Sequence, residues 1–270
     1  MPPASARLAL TETVPMRYSR WLATIVVVSL MLGACQSTPS PLPVSAVVET
    51  RTAPGAAELP SPTRVVVLGT GTPVPDRNRA GSSIAVIHKG QAYLFDVGAG
   101  AVHNATRARY LHDIPPLYPS QICCVFLTHL HSDHTMDYGE LAYTMWWRRA
   151  ARLRAFGPDG LRDMTAGLHQ LMAADTRLRT GGLQPVADPD LYKVDVTEIQ
   201  PGVVLEENGL RVEAFSVDHG TIKPAFGYRI ITDDKTIVIS GDTAYSEKLI
   251  EMSRGVDLLF HEVISDAGLA

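Results

Sequence analysis

The chain has 270 residues, of which 46% are hydrophobic and 19% are charged, a composition typical of a globular protein with a large core. Its formal net charge is −4 at pH 7. Proteins that bind nucleic acid usually present a basic face to the phosphates, so the acidic balance argues against a nucleic-acid partner. We expect a small-molecule substrate instead, and the composition leaves the oligomeric state open.

The amino terminus has the features of a leader sequence. An apolar run, Trp21 to Leu32, follows two arginines and is too short to span a bilayer as a helix. It ends in Leu32-Gly33-Ala34-Cys35, which resembles a bacterial lipoprotein box. We therefore expect residues 1–34 to be a lipoprotein signal peptide. Lipid on Cys35 would anchor the mature protein to the cell membrane or outer membrane, facing the periplasm.

Residues 35–62 are rich in Pro, Ser, Ala and Thr and show neither a helical nor a strand period, which predicts a tether. The folded domain then covers residues 63–270. Cys123 and Cys124 are adjacent in an apolar run of this domain. Adjacent cysteines are poor disulfide partners, so we expect both to be unpaired core residues.

The domain alternates between groups of strands and helices. Apolar runs predict strands at 64–68, 82–88, 91–96, 122–127, 153–156, 192–196, 203–205, 210–217, 226–232, 236–240 and 258–260. Helical spacing predicts a helix ending near His112 and helices at 136–150 and 160–174, and a loop is predicted at 180–189. Strands on both sides of a helical region fit an α/β fold with two β-layers between helices.

A dense group of polar side chains follows the strand at 122–127. The stretch reads His129-Leu130-His131-Ser132-Asp133-His134. Side chains alternate in an extended segment, so His129, His131 and Asp133 share one face, and His134 follows as the chain turns towards the next helix. Imidazole and carboxylate groups suit zinc or a related divalent ion. The stretch predicts a metal site.

This His-x-His-x-Asp-His pattern after an apolar strand resembles the signature of the metallo-β-lactamase fold superfamily of hydrolases. The resemblance runs from about Arg64 to the end of the chain and is closest to the ribonuclease Z and arylsulfatase-like branch. It rests further on Leu68–Pro73, Phe226–Ile230 and Ser240–Thr243. It implies an αββα sandwich with metal ions between the sheet edges.

The resemblance also implies a ligand set for two Zn²⁺ ions, with Mn²⁺ or Fe²⁺ as alternatives. The first ion would be held by three imidazoles, and the second by side chains of the motif together with a bridging carboxylate. The implied ligands are His129, His131 and His219 for the first ion, Asp133 and His134 for the second, and Asp242 between them.

Two acidic residues are implied to be catalytic, Asp133 and Glu262. Glu262 would carry a proton to the leaving group, although it could also be an ordinary acid at a strand end. Two roles are open for Asp96. It could cap the helix that follows it. Alternatively, as in the family, it could lie beneath the segment His129–His134, which we call the metal loop.

The family has a last strand beyond the His261-Glu262 element, carrying a final ligand His, and this sequence stops at Ala270. We therefore expect a C-terminally truncated sandwich without its last strand and helix. Apolar side chains near Val256 to Phe260 would then be exposed. The second metal would bind more weakly than the first.

Two divalent ions lower the pKa of a bridging water and supply metal-bound hydroxide near neutral pH. The resemblance thus implies a zinc-dependent hydrolase, and we expect it to act on small sulfate or phosphate esters. One alternative is a ribonuclease Z-like endonuclease that processes tRNA 3′ ends. The short interval between His219 and Asp242 weakens this ribonuclease alternative. One predicted hairpin occupies the interval, where ribonuclease Z carries a long arm that grips tRNA. A second alternative is a metal-binding lipoprotein fragment with impaired catalysis.

The lipoprotein box generates a direct prediction. Mass spectrometry of protein purified from membranes should show a mature chain that begins at Cys35 and carries lipid on that residue. A chain that still begins at Met1 or Met16, with unmodified Cys35, would contradict the assignment.

Overall fold

The structure is a computed structural model that describes residues 61–182 and 186–263. The predicted signal peptide, Cys35 and nearly all of the tether lie outside the described residues, as do residues 264–270. Within the described ranges, no helix has both the length and the apolar character needed to cross a membrane.

Within the described ranges, the first sheet has six strands that lie side by side in chain order. They are β1 (Thr63–Gly69), β2 (Ser83–His88), β3 (Gln91–Phe95), β4 (Cys124–Phe126), β5 (Arg154–Gly157) and β6 (Asp195–Glu198). β1 to β3 are antiparallel, whereas β3 to β6 are parallel. The parallel register brings the carboxyl ends of β3 and β4 to the same edge of the sheet.

The described part of the second sheet has five strands in the order β11-β10-β9-β8-β7. Their bounds are β7 (Gly202–Glu207), β8 (Leu210–Ser216), β9 (Phe226–Ile231), β10 (Thr236–Ile239) and β11 (Leu258–Phe260). β7 to β10 pair antiparallel, and β11 pairs parallel with β10. A single hairpin, β9–β10, occupies most of the interval between His219 and Asp242, as predicted.

The described helices are α1 (Ala101–Leu111), α2 (Ser132–Thr135), α3 (Tyr138–Tyr143), α4 (Leu161–Leu171), α5 (Ala173–Thr180) and α6 (Glu247–Met252). Apolar side chains of α1, α3 and α4 pack on the outer face of the first sheet. Leu249 of α6 packs against Phe215 and Val238 of the second sheet. A third cluster, which includes Phe126 and Tyr228, fills the space between the sheets. The predicted αββα sandwich is confirmed.

Several predicted boundaries are wrong. The helix expected at 136–150 ends at Tyr143, and Met145 adopts a left-handed conformation with φ of 52°. This break turns Trp146 inwards, where it is fully buried. The predicted loop at 180–189 is preceded by α5, and α6 was not predicted at all.

Among the described residues, β11 lies at the edge of the second sheet and has one neighbouring strand, β10. Leu258 and Leu259 are 42% and 45% exposed, while Val256 and Phe260 are partly buried. The expectation of exposed apolar side chains in this segment is therefore confirmed for Leu258 and Leu259.

Cys123 and Cys124 form a disulfide between adjacent residues, so the prediction that they are unpaired is wrong. Cys124 is buried as expected, whereas Cys123 is partly exposed. The local backbone brings the two sulfur atoms together at the start of β4, which sequence spacing alone does not indicate.

Tyr228 of the second sheet ties that sheet to the strand that carries the metal motif. Its hydroxyl donates a hydrogen bond of 2.7 Å to the carbonyl of Leu127. Its fully buried ring meets Phe95 and Phe126 edge-on, with centroid distances of 5.5 and 5.7 Å. The contact combines aromatic packing with a buried hydrogen bond.

We expect Tyr228→Phe to lower the free energy of unfolding by about 1–3 kcal/mol, because the buried Leu127 carbonyl loses its donor while the ring packing remains. Urea denaturation measures this. Tyr110→Phe is the control, since Tyr110 is 69% exposed and should change stability little. Equal stability of the two variants would mean that the hydrogen bond contributes nothing.

Candidate metal centre

Three imidazoles from two sheets form the first ligand group. β4 leads through Leu127 and Thr128 into His129 and His131, and β8 leads to His219 in the second sheet. The Nε2 atom of His129 lies 2.9 Å from Nδ1 of His131, which lies 3.4 Å from Nε2 of His219. The structure thus brings together the three histidines predicted for the first ion.

The second group consists of His129, His134 and Asp242. The Nε2 atom of His134 lies 3.3 Å from Oδ1 of Asp242. The other carboxylate oxygen of Asp242 lies 3.9 Å from Nε2 of both His129 and His219. Asp242 therefore faces both groups, which is the position expected of a bridging ligand.

Asp133 lies beside these groups rather than within them. Its Oδ2 atom is 3.6 Å from Nε2 of His134. Its Oδ1 atom is buried and has no hydrogen-bond partner among the described residues. A buried carboxylate oxygen without a partner costs free energy, and a nearby cation would remove that cost.

The spacing of the donor atoms fits zinc. Four ligand atoms about 2.0–2.1 Å from a tetrahedral ion lie roughly 3.4 Å apart, close to the observed separations. Burial, followed by the nearby His134, lowers the pKa of His129 to about 3. Its imidazole is therefore neutral, and neutral imidazole is the form that binds metal.

The second group is held by strong charge interactions. Burial opposes the charged form of His134, but the carboxylates of Asp96 and Asp242 outweigh this effect and raise its pKa to about 11. Burial also opposes the charge on Asp242, yet its hydrogen bond with His134 keeps the pKa of Asp242 below the usual value. A cation between these two side chains would replace the proton that they share.

Asp96 lies directly beneath the metal loop. Its carboxylate accepts hydrogen bonds from the Thr128 amide at 2.8 Å, the Thr128 hydroxyl at 2.9 Å and Nδ1 of His134 at 2.8 Å. It does not cap α1, whose first-turn Val102 amide instead donates to Asp137. Of the two roles that the sequence left open for Asp96, the structure supports the position beneath the metal loop.

Thr128 was not predicted, although it determines which nitrogen of His129 faces the site. The Thr128 hydroxyl donates its one proton in a hydrogen bond to Asp96, so its oxygen accepts a hydrogen bond from Nδ1–H of His129 at 3.0 Å. The lone pair on Nε2 is then free for a metal. The sequence offered one signal for this role of Thr128, namely its position directly before His129.

The loop also depends on a close backbone approach at Gly98. A Cβ atom at this position would lie 1.9 Å from the carbonyl oxygen of Asp133 and 2.6 Å from the backbone of Gly81. Only glycine permits this contact, which seats the metal loop against the turn after β3.

Glu262 closes the site from the end of β11. The backbone amide of Thr243 donates to its carboxylate, and burial raises the pKa of Glu262. Glu262 lines a cavity of about 540 Å³ together with Asp133, His134 and Asp242. His261 also lines the cavity but belongs to neither ligand group.

We expect Asp96→Asn to weaken zinc binding about 10- to 100-fold, because an amide cannot accept hydrogen bonds through both of its terminal atoms from Thr128 and His134. Competition with a chromogenic chelator measures the affinity. Asp113→Asn is the matched control, since the side chain of Asp113 is 91% exposed. Unchanged zinc affinity in Asp96→Asn would show that this carboxylate does not support the site.

The family model described as "Beta-lactamase superfamily domain" matches residues 91–267. Ribonuclease Z of Mycobacterium bovis is 30% identical over 204 residues, which cover 74% of this chain and 70% of that protein. Ribonuclease Z of Mycobacterium sp. (strain KMS) is 32% identical over 206 residues, covering 74% and 68%. The expectation that the chain has no nucleic-acid partner is wrong, because these relatives are ribonucleases.

Solved structures show the same fold. Human tRNase Z, short form, has a TM-score of 0.58 at 23% identity, and the match covers 75% of this chain and 79% of that one. The metallo-β-lactamase fold protein YhfI from Bacillus subtilis has a TM-score of 0.55 at 20% identity, covering 73% and 70%. The chain is therefore a hydrolase of the metallo-β-lactamase superfamily, and ribonuclease Z is among its relatives.

Proposed function

We propose that the protein is a metal-dependent endonuclease that cleaves phosphodiester bonds in RNA, with precursor tRNA 3′ ends as its substrate. The observation that carries the proposal is the identity of 30–32% to ribonuclease Z proteins over 204–206 residues. The family match, residues 91–267, contains every proposed ligand. This is the function given above as the first alternative.

The chain's own donors would hold two zinc ions. The first would be bound by His129, His131 and His219, and the second by the acidic and imidazole groups around Asp242. When bound, such ions supply a Lewis acid and lower the pKa of water to near neutrality. The rings of His129 and His134 are oriented before binding, because their Nδ1 atoms are hydrogen-bonded to Thr128 and Asp96 respectively.

Glu262 is suited to proton transfer at the leaving group. Partial burial raises the pKa of its carboxyl group, so that it holds a proton at higher pH than a fully solvated glutamate does. Its backbone amide lies 3.3 Å from the Ser240 hydroxyl, which fixes the end of β11 against the end of β10. In this proposal the carboxyl group protonates the departing ribose oxygen.

The surroundings of the cavity suit an RNA strand. Val67 and Leu259 in its wall are 49% and 45% exposed and offer apolar surface to a base or ribose. The loop that begins at the cavity-lining residue Pro73 carries Arg77 and Arg79, both exposed. Neither arginine forms an ion pair with a described residue, so both can contact phosphates.

Hydrolysis of small sulfate or phosphate esters is the second candidate. The observation that favours it is the short β9–β10 hairpin between His219 and Asp242, which leaves the second sheet without an extended arm. The same ligand groups would serve either substrate, so the difference lies in what reaches the cavity.

The zinc-loaded protein should remove the 3′ trailer of a precursor tRNA more efficiently than it cleaves bis(4-nitrophenyl) phosphate or an aryl sulfate. We expect Asp242→Asn to lower all activity by at least about 100-fold, because charge stabilisation by the metal is worth several kcal/mol. Measured kcat/KM values on the three substrates test this. Cleavage of the small esters with no cleavage of tRNA would reverse the ranking of the two candidates.

Arginine variants separate RNA binding from chemistry. In the double variant Arg77→Ala/Arg79→Ala we expect kcat/KM on precursor tRNA to fall several-fold and to depend less on salt concentration. Activity on bis(4-nitrophenyl) phosphate should be retained. Arg148→Ala is the control, because Arg148 is exposed and lines neither large cavity. An equal effect of all arginine changes on tRNA would rule out a specific role of this loop.

A further inference from the structure

A second large cavity lies at the opposite end of the parallel strands from the metal loop. It has a volume of about 870 Å³ and is lined by the first residues of β3 and β5, Gln91 and Arg154. Cys123 stands in its wall and is partly exposed, whereas Cys124 is buried behind it at the start of β4. The disulfide between these two cysteines is thus reachable from one side only, through Cys123.

Each sulfur atom has a neighbour that suits the reduced form. The Sγ atom of Cys123 lies 3.3 Å from the carbonyl oxygen of Ala92, which can accept a hydrogen bond from a thiol. The Sγ atom of Cys124 lies 2.9 Å from Nη2 of Arg154, which can donate to a thiolate. The surroundings therefore provide partners that a disulfide does not need and a dithiol does.

Arg154 is fixed in this position. Its guanidinium group donates to both carboxylate oxygens of Glu207, at 2.8 and 2.6 Å. The two parallel charge-assisted bonds leave the orientation of Nη2 towards Cys124 unchanged when the sulfur gains charge. A positive group held beside a sulfur stabilises the thiolate and thereby favours reduction of the disulfide.

We propose that Cys123 and Cys124 form a redox-active pair that low-molecular-weight thiols reduce through this cavity. The incoming thiolate attacks Sγ of Cys123, the exposed sulfur. The disulfide bond breaks, and its electron pair leaves on Sγ of Cys124 beside Arg154. Cys124 is the better leaving group because its charge is stabilised there.

The reaction balances with two equivalents of reductant. The first forms a mixed disulfide with Cys123, and the second attacks the outer sulfur of that mixed disulfide and releases an external disulfide. The protein gains two electrons and two protons, and two thiols are oxidised to one disulfide. Re-oxidation by an external disulfide reverses these two exchange steps and releases two thiols.

The first experiment equilibrates the full, folded chain in buffers of defined ratio of dithiothreitol to its oxidised form. Alkylation and peptide mass spectrometry then count the labels on the peptide that contains Cys123 and Cys124, separately from Cys35. We expect no label at the oxidising end, two labels at the reducing end and full reversal between them. Two labels under oxidising conditions, or no labels until the protein is unfolded, would overturn the proposal.

A pair of double variants tests the role of Arg154. In Arg154→Met/Glu207→Gln we expect the equilibrium constant for reduction to fall about tenfold, since the thiolate loses a charge-assisted hydrogen bond and no glutamate is left unpaired. The matched control is Arg152→Met/Asp195→Asn, which removes another ion pair that lines the cavity and does not touch sulfur. Equal midpoints for the two variants would show that Arg154 does not favour reduction.

Single cysteine variants test which sulfur is attacked, independently of the arginine variants. With oxidised glutathione as the probe, Cys124→Ser should acquire one glutathione on Cys123, whereas Cys123→Ser should leave the buried Cys124 unmodified. Modification of Cys124 in preference to Cys123 would overturn the proposed direction of attack.

Discussion

The carboxylate of Asp96 is the interaction on which the metal centre depends. Asp96 has a left-handed backbone with φ of 58°, and its amide donates to the Phe126 carbonyl at 2.8 Å, so its main chain joins the ends of β3 and β4. Its buried side chain then meets Thr128 and His134. A buried carboxylate is costly unless it is fully hydrogen-bonded, so the acid and the loop that satisfies it stabilise each other.

The second sheet completes the site from the other side. The Phe226 amide donates to the Thr128 carbonyl at 2.9 Å, which aligns the start of β9 with the metal loop. His219 follows β8, and Asp242 follows β10, so both reach the loop from strand ends of this sheet. Because each sheet supplies part of each ligand group, the centre exists only when the sandwich is assembled. Packing between the sheets is therefore a condition for metal binding as well as for stability.

What could be predicted from the sequence follows from the range of the interactions involved. The motif from His129 to His134 is local, so strand alternation was enough to predict a metal site. His219 and Asp242 required the family resemblance, because only the fold brings them close. The prediction of one helix over 136–150 was wrong because the burial of Trp146 outweighs the helical spacing of the apolar residues. The nucleic-acid prediction failed because net charge averages over the whole surface, whereas RNA would contact local groups such as Arg77 and Arg79.

The parallel part of the first sheet gives its two ends different chemistry. At the carboxyl ends the chain enters loops that can diverge from strand to strand, and here these loops gather imidazoles and carboxylates around one point. At the amino ends the chain enters β4 through the Cys123–Cys124 pair, with Arg154 from the adjacent β5 beside it. β4 is only three residues long and fully buried. The disulfide therefore lies at its start, and the metal loop follows shortly after its end. Neither end can shift along the strand direction without disturbing the hydrogen bonds of β3 and β5 on either side.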